Sequence, residues 1–220
     1  MYRLFLAAMT LALAIPVSAV SLAADYELKE ALVEKYATTP TDIDSKGSPY
    51  SLVQSLGEQV FAAVASAKGE DAEIEALMQV IVERQLMPFI DVKFASYKIL
   101  GTQLKKSQKD ERALFVDAMK QNLISTYSSA LSQYDNQRII YEPAREVGNK
   151  KTVTVKAELV ATGAPTIDMI FKLRKNKKTG EWKAYDLVVE GISLVDAKRA
   201  ELSKPLRQNG IRYVAENLLN

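Results

Sequence analysis

The chain has 220 residues and a nearly balanced charge, 29 Lys and Arg against 27 Asp and Glu, with neither Cys nor His. Disulfides, thiol nucleophiles, imidazole bases and the usual zinc and copper ligand sets are thereby excluded. The net charge is also too small to argue for nucleic acid or a broadly anionic surface as partner.

The first element reads as a leader. Arg3 precedes an apolar run from Leu4 to Ile15, and Pro16 with a small-residue stretch up to Ala24 follows. This pattern predicts a secretory signal peptide over 1–23, cut after Ala23 or alternatively after Ala19. The apolar run is shorter than the roughly 20 residues of a bilayer span, and no basic stop-transfer cluster follows it. Residues 24–220 are therefore expected as one soluble domain in the periplasm, held together by its core.

Leu28, Leu32, Val33 and Tyr36 suggest a short helix, broken by the Pro- and Ser-bearing stretch 38–49. Leu52, Leu56, Val60, Phe61 and Val64 predict a helix over 50–67, and Ile74, Leu77, Met78, Ile81 and Val82 another over 71–85. Pro88 ends or kinks that helix within the apolar elbow Leu86–Ile90, and a further helix runs over 91–100 to Gly101. The elbow is open to two readings, a flap over a cavity or a fixed kink. Phe115, Met119, Leu123, Tyr127, Leu131 and Tyr134 recur at helical spacing and predict a long helix over 109–134.

The period then changes to two. Val153, Val155, Ala157 and Leu159 alternate with Thr152, Thr154, Lys156 and Glu158, and Ile167, Met169, Phe171 and Leu173 with Asp168, Lys172 and Arg174. Turn residues at 148–149, 163–165 and 176–180 separate these runs, so 137–190 reads as an antiparallel meander of about four strands. Gly191 closes it, and helices over 192–208 and 210–219 end the chain. The organisation is thus mainly helical over 24–136, sheet over 137–190 and helical again over 191–220. Helices followed by a bent sheet covered on one face give an α+β fold, whose interior is either packed or occupied.

Two blocks of residues carry a resemblance. Leu86-Met87-Pro88-Phe89-Ile90-Asp91-Val92-Lys93-Phe94-Ala95 with Leu100-Gly101 is the first. The second is Arg174-Lys175-Asn176, Thr179-Gly180, Trp182-Lys183-Ala184-Tyr185-Asp186-Leu187 and Glu190-Gly191-Ile192-Ser193-Leu194. The chain resembles the MlaC family, also known as the toluene-tolerance auxiliary component family, over roughly 70–220. The resemblance implies an NTF2-like cone of antiparallel strands joined to a helical subdomain, with an apolar pocket for phospholipid acyl chains and the headgroup at its mouth. It implies a monomeric carrier without a cofactor, working between an outer-membrane lipoprotein–porin complex and an inner-membrane MCE-domain protein with its ABC transporter.

Residues for such a pocket can be named. Phe115, Met119, Leu123 and Tyr127 of the long helix, facing Met169, Phe171, Leu187 and Val189 of the sheet, are candidate walls. Leu86, Phe89 and Val92 around the elbow and Ile192 and Val195 after Gly191 complete the set. Periodicity alone makes the same residues an ordinary core, and it is the resemblance that favours a cavity. Trp182 reads as a structural plug. Lys93, Arg174, Lys175 and Lys183 are candidates for partner or headgroup contacts, against a default of solvated charges in and beside a turn.

Two other functions stay open at this stage. A cone of this kind can host an isomerase or dehydratase using a buried Asp and a Tyr, for which Asp91, Asp117, Asp186, Tyr97, Tyr127 and Tyr185 are the raw material. Asp91 reads better as a helix cap and Asp117 as solvent-facing. The remaining alternative is a periplasmic protein-binding adaptor, with a solid core and no ligand.

Overall fold

The computed structural model describes residues 43–67 and 74–218. The leader at 1–23 and the expected helix at 26–36 lie outside them. Helix α1, Pro49–Ala67, starts with Pro at a position where its missing N–H costs nothing, and buries Leu52, Leu56, Val60 and Val64 on one stripe. Helix α2, Ile74–Ile81, widens into a π turn, Val82–Leu86, and tightens into a 3-10 turn, Met87–Phe89, at Pro88. These turns form the elbow. Ile90 makes a parallel bridge to Ala184, and the Asp91 N–H donates to the Ala184 carbonyl at 2.7 Å. The elbow is accordingly pinned to the sheet.

Helix α3, Val92–Leu100, is capped by the Asp91 carboxylate, which accepts from the Phe94 N–H at 3.0 Å. It ends at Gly101, whose φ of +53° suits glycine; a β-carbon there would also press on the Arg199 guanidinium. Helix α4, Lys109–Ser132, is the longest, with the Gln108 N–H donating to the Glu111 carboxylate at 2.8 Å in its first turn. It stops two residues short of the expected Tyr134.

The sheet has five strands in the order β1-β2-β3-β4-β5, all antiparallel: Arg138–Tyr141, Thr152–Val160, Ile167–Lys175, Trp182–Val189 and Ile192–Ser193. The fifth was missing from the sequence reading, which started a helix at 192. Glu190 and Gly191 both have positive φ, as a two-residue hairpin of the primed type requires, so the chain turns back at Gly191 for one more short pairing. Helix α5, Leu194–Gln208, then begins with Ser193 accepting from the Asp196 N–H at 3.1 Å, and α6, Gly210–Leu218, follows.

Alternation sets the sheet faces. Val155, Leu173 and Trp182, the last only 2% exposed, pack against Leu52 and Val53 of α1. Trp182 is the plug the sequence suggested. A second cluster joins Ala95 and Ile99 of α3, Phe115 and Met119 of α4, Val195 and Leu202 of α5 and Val214 of α6. A third ties α1 to α2, and a fourth ties the elbow to Ile124 of α4.

Candidate functional site: an apolar cavity between the helices and the sheet

Between these clusters lies a cavity of about 390 Å³, partly open to solvent. One face of α4 supplies Met119, Leu123, Tyr127 and Leu131, each four residues from the next and so stacked along one line of the helix. The sheet supplies Ile139, Tyr141, Phe171, Leu173 and Leu187, and α1 supplies Leu52, Leu56, Val60 and Phe61. Leu86, Phe89 and Ile90 of the elbow close one side, while Leu194, Val195 and Lys198 of α5 stand at another. Ala197, Leu194 and Glu201 are exposed, which places the opening along the first turns of α5. A volume in the range of roughly 300–1,000 Å³ with mostly apolar walls is that of a small-molecule site.

Of the expected wall residues, Leu86, Phe89, Met119, Leu123, Tyr127, Phe171, Leu187 and Val195 line this cavity. Val92, Phe115, Met169, Val189 and Ile192 do not. Phe115 lies on the α4 stripe but is 0% exposed within the α3–α6 cluster, where helices cover it on every side. Val92 fills the seam between that cluster and the elbow. Met169 pairs with Val189, and Val189 with Ile192, on the face that carries Phe171 and Leu187 but further along the strands than the cavity reaches. Ile192 is 62% exposed, so the expectation that it points inward is corrected.

The basic candidates stand away from the cavity. Arg174 is committed to the elbow, 2.8 Å from the Asp91 carboxylate with its guanidinium 4.2 Å from the centre of the Phe94 ring. It reinforces the staple between the elbow and β3–β4. Lys175 lies over the Trp182 ring at 5.6 Å and Lys93 over Tyr97 at 5.7 Å, while Lys183 faces Arg174 across the ladder.

Several cavity residues had gone unnamed. Gly57 is one: a β-carbon on it would collide with the Tyr141 hydroxyl, so its lack of a side chain lets this ring lie against α1. An isolated glycine inside an apolar helical pattern was the available signal. Asp186, named from the sequence only as raw material for an enzyme, is 7% exposed and lines the cavity. Its Oδ2 accepts from Lys172 Nζ at 2.8 Å and Ser193 Oγ at 2.7 Å, and its Oδ1 from the Val195 N–H at 3.1 Å. This carboxylate therefore ties β3, β5 and α5 to β4. Its hydrogen bond holds the Lys172 ammonium above the ordinary lysine range. Burial pushes the Tyr127 phenol up to about 12, with the Asp186 charge adding to it, and burial with the Glu58 charge does the same for Tyr141. Both tyrosines are thus neutral hydroxyls at the cavity wall.

Comparison with known proteins agrees with this architecture. A profile of the MlaC protein family matches residues 54–220. The chain belongs to the MlaC family. Among MlaC relatives, the intermembrane phospholipid transport system binding protein MlaC of Haemophilus influenzae is 29% identical over 150 residues, 68% of this chain and 70% of the relative. Toluene tolerance protein ttg2D of Pseudomonas putida is 22% identical over 184 residues, 83% of this chain and 84% of that one. A solved structure of the phospholipid-binding protein from Ralstonia solanacearum, in complex with a phospholipid, has the same fold. It matches with a TM-score of 0.65 at 20% identity, over 76% of this chain and 92% of that one. The span that matches the MlaC profile contains every cavity wall except Leu52 and Val53 at the start of α1.

Proposed function

We propose that this MlaC-family chain is a periplasmic phospholipid carrier that holds acyl chains in the cavity between α4 and the sheet, and serves to maintain outer-membrane lipid asymmetry. The observation that carries the reading is the stacked apolar face of α4 set opposite Phe171 and Leu187 across an open space. A phospholipid in water exposes on the order of 30 methylenes, at about 0.8 kcal/mol each, so unassisted transfer faces a barrier of order 20 kcal/mol. A carrier needs to supply apolar wall and no reactive group. The carboxylates that would serve an enzyme are otherwise engaged: Asp91 caps α3 and pairs with Arg174, Asp186 is held by three donors, and Asp117 is exposed.

On this reading residues 1–23 are the leader, 24–220 act as one monomeric domain, and no cofactor is required. Exchange occurs with an outer-membrane lipoprotein–porin complex on one side and an inner-membrane MCE-domain protein with its ABC transporter on the other. Lys93, Lys175 and Lys183 are surface charges suited to acidic patches on such partners. The test is to purify the protein without detergent, extract it with organic solvent and identify the extract by mass spectrometry. Near-stoichiometric phospholipid is expected, and Leu187→Glu, at a half-buried cavity position, should stay folded and lose it. A folded wild-type protein that is empty, and remains so after incubation with liposomes, would leave the adaptor reading in place instead.

A further inference from the structure

Serines inside helices usually return their hydroxyl to the carbonyl four residues back, as Ser128 does to Ile124 at 2.6 Å and Ser66 to Ala62 at 3.0 Å. Ser96 does not. It sits in the middle of α3, is 1% exposed, lines the cavity, and its Oγ has no hydrogen-bond partner among the described residues. A buried hydroxyl left unpaired destabilises the fold, and alanine at this helix position would avoid the cost. Its helix neighbours in the wall are Ala95 and Ile99, which cluster with Met119 and Val195, so the polar atom is set into apolar surroundings.

The chemistry of the remaining wall narrows what Ser96 can meet. Asp186 presents the only buried carboxylate among the described wall residues; its counter-ion Lys172 is not part of the wall, and the wall's cation, Lys198, is already paired with Glu201 at 2.8 Å. An anion entering there loses its hydration and meets a like charge. A neutral acceptor meets neither penalty. Tyr127, also in the wall and kept as a phenol, is a second donor for such a group.

Resting on the carrier reading, we infer that Ser96 Oγ, with the Tyr127 hydroxyl as second donor, is a hydrogen-bonding ledge for an ester carbonyl of the cargo. The ledge fixes how deep the acyl chains sit by holding their ester junction, and leaves the phosphate outside the apolar walls. It recognises the linkage and not the headgroup, so cargo with different headgroups is accepted while linkage is discriminated.

The experiment uses liposomes with equal amounts of dipalmitoyl phosphatidylglycerol and its dihexadecyl diether analogue, which share headgroup and chain length but differ in the carbonyls. Purified protein is incubated with them, re-isolated, and its lipid measured by mass spectrometry. Wild type is expected to favour the diester about fivefold, the effect of one neutral hydrogen bond. In Ser96→Ala, which should melt no lower than wild type, the diester-to-diether ratio of the lipid carried should fall towards one, and Tyr127→Phe should reduce it by less. Equal capture of both lipids by wild type overturns the ledge while leaving the carrier reading intact. So does a preference that is undiminished in Ser96→Ala, which would mean that water satisfies the hydroxyl. Capture of neither lipid by folded wild type sinks the carrier reading itself.

Discussion

The Asp186 carboxylate does several jobs with one side chain. It balances Lys172, receives the Ser193 hydroxyl and accepts the Val195 N–H in the first turn of α5, so its removal leaves a cation without a partner and the Val195 N–H without its acceptor. Asp186→Ala is expected to lose about 3 kcal/mol, the scale for breaking a buried pair, and urea unfolding would measure it. Tyr127 and Tyr141 make a different prediction. Their folded pKa values lie at about 12, above the ordinary 10.0, because burial favours the neutral phenol. Below pH 10 their contribution is fully present, and as pH rises from 10 to 12 the unfolded chain releases its protons first and stability falls. Denaturation midpoints measured across that window should drop, and less steeply in Tyr127→Phe than in wild type. Neither effect could be read from the sequence, because burial of a Tyr and the donors around an Asp are properties of the assembled site.

At the scale of elements, what was legible followed from period and length. The stripes of α1 and α4 and the alternation of β2 and β3 announced their elements and the faces turned inward. β5 has two residues and no period to detect. The cavity wall was legible where a stripe ran on unbroken, through Met119, Leu123 and Tyr127. It misled at Phe115, because a stripe records which side of a helix is apolar and not what covers that side at each turn. The same holds along β3 and β4: alternation assigns Met169 and Val189 to the correct face but says nothing of where the helices stop. Gly57 belongs to this scale also. Gly57→Ala gains about 1 kcal/mol of helix propensity but forces the Tyr141 ring off α1, and the space beside that ring is the cavity. The variant should fold, carry less lipid and shift the alkaline tyrosine titration, all measurable on one preparation.

For the whole molecule, cargo and stability are linked. If an acyl chain fills space that is otherwise without protein contacts, the loaded form is stabilised by mass action, about 2.7 kcal/mol when free ligand is 100 times Kd. For a chain of this size that corresponds to roughly 5–10 °C in Tm. Delipidated protein should therefore melt lower than protein as purified, and regain the difference on incubation with liposomes. A delipidated form with unchanged Tm would mean that the cavity walls collapse on emptying, which the pinned elbow argues against. The resemblance carried by 86–95 and 174–194 indicated the architecture at this scale because both blocks meet in the staple. Asp91 and Arg174, 83 positions apart in sequence, form one ion pair there.

That separation also bears on when the protein becomes able to work. The wall draws on α1 near one end of the described chain and α5 near the other, and the backbone of the elbow is pinned to Ala184, which emerges long after it. Contacts so distant in sequence form late, after the intervening chain has paid its loop-closure entropy. No amino-terminal fragment contains the complete cavity wall, so a partly made chain lacks the finished site. On the carrier reading, the complete chain is the first form that presents the whole wall to a cargo.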